Sequence, residues 1–148
     1  MVLQDEKGTA ELDYLTVHTS GEAATRFNRK GGFHISKWTG PEDAAAWVVQ
    51  INEPGKFKVN ISYAANRESE GIPYEITIGN SVIETKTVYT GEWFEYESFP
   101  IGYIELPEGG DYTLTLRPMG KGDAYLMHFR SITLEPANNI KQEGWGEN

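Results

Sequence analysis

Residues 37–66, KWTGPEDAAAWVVQINEPGKFKVNISYAAN, decide the fold. In the second half Phe57, Val59, Ile61 and Tyr63 alternate with Lys56, Lys58, Asn60 and Ser62. That is the period of a strand with one buried and one wet face. In the first half Trp47, Val49 and Ile51 share one side of residues 45–51. Asn52-Glu53-Pro54-Gly55 joins the two, with proline presetting φ and glycine accepting positive φ. Both apolar faces are placed to lie on one core.

Outward from this pair the same grammar recurs. Upstream, residues 1–8 read as a flexible leader, and 11–19 as a strand with Leu12 and Tyr14 on one face and Leu15 and Val17 on the other. Residues 20–30 are small and polar without a period, which reads as a long loop, and 33–38 as a short strand. A brief helical turn is the alternative for 43–46. Downstream, Tyr74, Ile76 and Ile78 alternate with Glu75 and Thr77, and Gly79-Asn80-Ser81 signals a hairpin returning through 82–89. Thr90-Gly91-Glu92-Trp93 turns the chain into 94–97, and 101–106 is apolar enough for an interior. Pro107-Glu108-Gly109-Gly110-Asp111-Tyr112 repeats the proline, glycine, polar, aromatic order of residues 54–57, and Tyr112, Leu114 and Leu116 then alternate. Gly120-Lys121-Gly122-Asp123 is a loop, and 124–134 is apolar on both faces, as a central strand is. The tail, with Asn138-Asn139 and Gly144-Trp145-Gly146, has no period. The expectation is an all-β jelly-roll sandwich of about eight to nine antiparallel strands. It forms a single domain over 9–136, with flexible ends at 1–8 and 137–148.

The bulk properties exclude several functions. A formal net charge of −9 over 148 residues repels phosphate backbones and anionic lipid, which disfavours nucleic-acid and membrane partners. Cysteine is absent, so disulfides, thiolate nucleophiles and thiolate metal sites are excluded. The first residues turn polar at once, so an exported natural protein would carry its signal elsewhere. No G-x-S-x-G, H-E-x-x-H or phosphate loop occurs. His18, His34 and His128 are scattered along the chain. The carboxylates at Glu42-Asp43, Glu68, Glu70, Glu92, Glu95 and Glu97 could serve a glycosidase only if two faced each other at roughly 5–9 Å. A strand's solvated face explains Glu95 and Glu97 without chemistry. Among the aromatics, Trp47, Phe57, Tyr63, Tyr74 and Tyr112 fall at inward positions. Trp38 and Trp93 stand at strand ends beside glycine turns, as platforms for a sugar face or as inward lids.

In order along the chain, Trp38, Asp43, Trp47-Val48-Val49, Pro54-Gly55-Lys56-Phe57, Thr90-Gly91-Glu92-Trp93, Ile101-Gly102-Tyr103, Gly110-Asp111-Tyr112 and His128-Phe129-Arg130-Ser131-Ile132 resemble a known group. They are similar to the galactose-binding-like carbohydrate-binding modules of families six and thirty-five. They look closer still to C-terminal accessory domains of bacterial α-L-fucosidases and related glycoside hydrolases. The resemblance implies a jelly roll that binds glycan without catalysis for an enzyme in the same chain, secreted, periplasmic or at the cell surface. It implies a stacking platform at Trp93, with Trp38 or His34 as the second ring and Asp43 and Glu92 as polar neighbours. Members usually carry an asparagine at the start of the last strand. Here Tyr125-Leu126-Met127-His128 stands instead, so either His128 substitutes or the cleft is dead. Some members hold a structural calcium, for which Glu11, Asp13 and Glu135 are the nearby carboxylates. Two rival readings are a spacer packing on a catalytic domain without binding sugar, and a stand-alone glycan hydrolase or lyase.

Overall fold

A computed structural model of the chain describes residues 1–120 and 122–137. Two sheets lie face to face. The first runs β1 (Val2–Leu3), β6 (Ala44–Ile51), β11 (Gly110–Pro118), β8 (Pro73–Ile78), β9 (Ser81–Lys86), with β3 (His18–Ser20) also on β6. The second runs β10 (Glu97–Leu106), β7 (Gly55–Ala64), β12 (His128–Pro136), β5 (Gly32–Ser36), β4 (Ala24–Asn28), with β2 (Ala10–Leu12) also on β12. All pairings are antiparallel except β1 with β6. The architecture is the all-β jelly-roll sandwich expected from the alternation.

The strands of the deciding stretch do not pair with each other. β6 bonds to β1, β3 and β11, whereas β7 bonds to β10 and β12. The Asn52-Glu53-Pro54 turn therefore carries the chain from one sheet to the other. The Trp47, Val49 and Ile51 face then meets the Phe57, Val59, Ile61 and Tyr63 face across the core. Aromatic contacts tie the layers: Trp47 lies 5.4 Å from Phe129, and Tyr63 meets Tyr74 edge-on at 6.5 Å. Each such fully buried side chain contributes roughly 1.5–3 kcal/mol. The 79–80 hairpin forms as the turn residues require, with Ile78 opposite Ser81.

Several local expectations differ. The described residues form twelve strands, because short edge pieces escape a hydrophobic period. Residues 11–19 split into β2 and β3 around a turn in which the Trp47 indole donates to the Asp13 carbonyl at 2.8 Å. Residues 20–30, read as loop, contain β4, an edge strand exposed over most of its length and so without an apolar alternation. In the leader, Val2 is buried and β1 pairs with β6. Gln4 fastens this end, its side chain donating to the Gly8 and Glu53 carbonyls and accepting from the Asn52 and Glu53 amides. No helical turn forms at 43–46, where β6 begins. At the other end Ala137 is buried and donates to the Lys56 carbonyl at 2.8 Å. Lys121 of its glycine loop, Asn138-Asn139 and Trp145 lie outside the described residues.

Candidate functional site

The connection between β9 and β10 is built to hold two aromatic rings at the end of the sandwich. The Tyr63 hydroxyl accepts from the Val88 amide at 2.8 Å. Thr90 clamps the end of β7, donating its amide to Ala65 O at 2.9 Å and accepting the Ala65 amide on its hydroxyl at 2.9 Å. At Gly91, φ is +123°, and a Cβ there would overlap the Glu95 carboxylate, so only glycine fits. Glu92 and Glu95 close the turn, the Glu95 amide donating to Glu92 O and the Glu92 amide to Glu95 Oε1. Trp93 and Phe94 are thereby presented to the start of β12.

There three rings stack. His128 lies between Trp93 and His34, 4.2 Å from each, at interplanar angles of 19° and 20°. Phe94 closes on the same imidazole at 5.7 Å. His34 is buried, whereas Trp93 and His128 are half-buried. Burial and then the neighbouring His34 push His128 down to about 4, against the opposing hydrogen bond to the Trp93 backbone. Burial and the Arg26 charge likewise lower His34, opposed by its hydrogen bond to Gly32 O. Both imidazoles are thus neutral near pH 7, and His128 Nδ1 has no partner among the described residues.

This fixes a pH dependence. Above the ordinary histidine value of 6.5 the ring is neutral in both folded and unfolded chains. As pH falls, the unfolded ring takes its proton first, and stability declines until the folded ring protonates near 4. Discounted for partial exposure, the loss is on the order of 1–2 kcal/mol. Urea unfolding of wild type and His128→Gln should show the stability difference between them shrinking by that amount between about pH 7 and about pH 4.5. A constant difference would mean the ring's charge state is immaterial.

Beside the stack opens a cleft of about 220 Å³ lined by Arg26, Asn28, His34, Lys37, Phe94 and Tyr125, among others. Arg26 faces it because it stands opposite His34 in the β4–β5 ladder. Arg130 braces the surround: its guanidinium donates to Gly31 O at 3.0 Å and lies 3.7 Å from the Tyr96 ring centroid. It joins the β4–β5 turn to the loop bearing Trp93.

The structure brings together three of the residues expected from sequence, Trp93, His34 and His128. It places the others elsewhere. Trp38 offers no face to a ligand: it is fully buried, donates its indole N–H to Met127 O at 2.9 Å and meets Phe129 edge-on. Asp43 is also enclosed, at 4 % exposure. Its oxygens accept from the amides of Glu22, Thr39 and Gly40 and from the Thr39 hydroxyl. Glu92 is exposed and does not line the cleft. The calcium carboxylates do not converge. Glu11 and Asp13 flank a depression that Arg130 already lines, and Glu135 accepts from Asn60 Nδ2 at 3.0 Å. Among the described residues no group of three or more His, Cys, Asp or Glu is placed to hold a metal ion, so Glu11, Asp13 and Glu135 do not form one carboxylate cluster. Sequence reading missed Arg26, Asn28, Lys37, Phe94 and Tyr125. The signal available for the first two was the cross-strand match of 24–28 with 32–36.

The sandwich is similar to solved carbohydrate-binding modules. A family 35 module from Clostridium thermocellum superposes with a TM-score of 0.70 at 16 % identity, over 84 % of this chain and 97 % of that one. The Podospora anserina GH26-CBM35 β-(1,4)-mannanase gives 0.69 at 18 %, over 88 % of this chain and 28 % of that one. A family 6 module from Clostridium cellulolyticum, solved in complex with xylose, gives 0.64 at 16 %, over 84 % and 95 %. At these identities the likeness is one of fold. No curated protein matches the sequence. The sequence profile of DUF5077, a domain of unknown function, matches residues 13–139, and the chain belongs to that family.

Proposed function

We propose that the chain is a non-catalytic carbohydrate-binding module acting for a glycoside hydrolase domain in the same polypeptide. The observation that carries this is the half-buried Trp93 indole, held parallel to His128 at 4.2 Å beside an aromatic cleft at the loop end of the sandwich. Sugar rings present C–H faces to such a ring, and neighbouring polar groups take the hydroxyls. Neutral His128, standing where related modules carry asparagine, has an imidazole able to fill that role. Export, and an α-L-fucosidase as the attached enzyme, are proposed on the sequence resemblance alone.

A catalytic reading finds little support, since no carboxylate lines the aromatic cleft. Glu68 and Asp123 share a separate depression of about 320 Å³ beside Trp38. Both are exposed, without the apolar enclosure that a general acid needs. The spacer reading draws on one feature, the stacked Tyr14–Phe33 pair at 4.4 Å with Phe27, where Phe27 is 63 % and Phe33 43 % exposed.

Trp93→Ala should weaken binding of the recognised glycan at least tenfold, about 1.4 kcal/mol, while the urea midpoint changes little. Glycan-array screening followed by calorimetry checks it. Unfolding of the variant would make Trp93 a core residue, and silence of the folded wild type across the array would favour the spacer.

A further inference from the structure

We propose that the exposed aromatic corner formed by Tyr14, Phe27 and Phe33 is the interface of a two-fold dimer between copies of this chain. The proposal is independent of whether the aromatic cleft takes a sugar.

The corner lies where the core runs out. β4 is the outermost strand of its sheet, so its far edge bonds no other strand among the described residues. In the β4–β5 ladder Phe27 stands opposite Phe33, and Thr25 opposite Ile35. Side chains two positions apart share a face of a strand. Phe27 and Phe33 therefore lie on the same side as Ile35, which is fully buried between the sheets, yet both phenylalanines are exposed. Tyr14 reaches Phe33 from the turn after β2 and stacks on it at an interplanar angle of 14°, and Phe27 leans on Phe33 at 5.0 Å. Leu15, beside Tyr14, is exposed as well. Three rings in contact at an open strand edge present apolar area and free ladder groups that folded proteins ordinarily cover.

The charges around the rings point to what covers them. Residues 26–30, RFNRK, hold three of the 13 Lys and Arg of the chain, and Arg29 and Lys30 are exposed in the β4–β5 turn. Glu11 and Asp13 line a depression beside the Tyr14–Phe33 stack, facing Gly31 and Gly32. Arg130 shares that depression, but its guanidinium is taken up by Gly31 O and the Tyr96 ring. None of Glu11, Asp13, Arg29 and Lys30 forms a salt bridge among the described residues. An aromatic centre with an acidic edge and a basic edge is complementary to itself. A two-fold axis through the rings lays the acids of one copy on the cations of the other, twice. A neighbouring domain would have to match both edges, whereas a second copy does so by symmetry. The net charge of −9 makes other faces of two copies repel, and that repulsion is relieved where cations gather beside acids.

Sedimentation velocity of the full chain from about 1 to about 300 µM, at low ionic strength, should show the mass rising from one protomer to two. Salt at about 1 M should shift the equilibrium towards monomer by screening the charged edges. Phe27→Ser should weaken association at least tenfold, while the urea midpoint of the dilute protein barely moves because the ring is exposed. Glu11→Lys and Lys30→Glu should each weaken it several-fold, and the double variant should recover most of that loss, because the two changes restore opposite charges across the axis. Lys86→Glu, the same charge change on the edge strand of the other sheet, should weaken association far less. A monomer at every concentration would overturn the proposal and leave the corner to a neighbouring domain of the same polypeptide. A dimer indifferent to Phe27→Ser would overturn it too, by placing the interface on another face. So would a double variant no better than its parents, since the acidic and basic edges would then not meet.

Discussion

Trp38→Ala should lower the unfolding free energy by about 3–5 kcal/mol, the usual cost of truncating a large core aromatic. The indole is fully buried, sits edge-on to Phe129 at 6.2 Å, and bonds Met127 O at 2.9 Å. Alanine leaves a cavity between the sheets and a buried carbonyl without a donor. The effect would spread, because the backbone around Trp38 carries the 122–127 strap: Leu126 donates to Trp38 O and Gly122 to Thr39 O, both at 2.9 Å. That strap holds Tyr125 and leads into His128. Urea denaturation followed by tryptophan fluorescence measures the loss. A variant as stable as wild type but deficient in glycan binding would restore Trp38 to the surface role suggested by its place beside Gly40.

Asp43→Ala should cost about 2–4 kcal/mol, since it strands three backbone amides and a hydroxyl that one charged carboxylate satisfies. The bonds run from Glu22 at 2.7 Å and from Thr39 and Gly40 at 2.8 and 3.1 Å, pinning the 20–23 turn onto the 37–43 loop. Gly21, at φ +67°, lets the two loops close, because a Cβ would collide with the Asp43 carboxylate. Burial alone would raise the Asp43 pKa, but these hydrogen bonds outweigh it and hold the group below its ordinary value. The folded value lies below the unfolded one. The stabilisation is therefore complete above the ordinary value of 3.8 and lost as pH falls through the folded value. Asp43→Asn, keeping one acceptor oxygen, should fall between wild type and alanine in denaturant midpoint. An alanine variant indistinguishable from wild type would show that the loops close without this staple.

Trp93 and Trp38 show why the fold was easier to read than the site. Both stand at strand ends beside a glycine turn, and nothing within ten residues of either distinguishes a platform from a lid. The difference lies 30 to 90 positions away. His128 covers one face of Trp93, and the Met127 carbonyl draws the Trp38 indole inward. β4 was unreadable for another reason. An exposed edge strand buries no face, so 24–28 carries no hydrophobic period, and with it went Arg26, whose position depends on pairing opposite His34.

From the sequence alone came the sandwich itself: alternation in 55–63, 74–78 and 112–116, with turn residues at each break, suffices because period-2 burial is a local property of the strand. The sequence also singled out Trp93, His34 and His128 one by one. That they form a single stack, that Trp38 and Asp43 serve the scaffold, and that an acidic protein gathers two cations on one aromatic wall were decided only by tertiary structure. Contacts across sheets join residues far apart in the chain, and the environment that gives each side chain its role exists only once both sheets have closed.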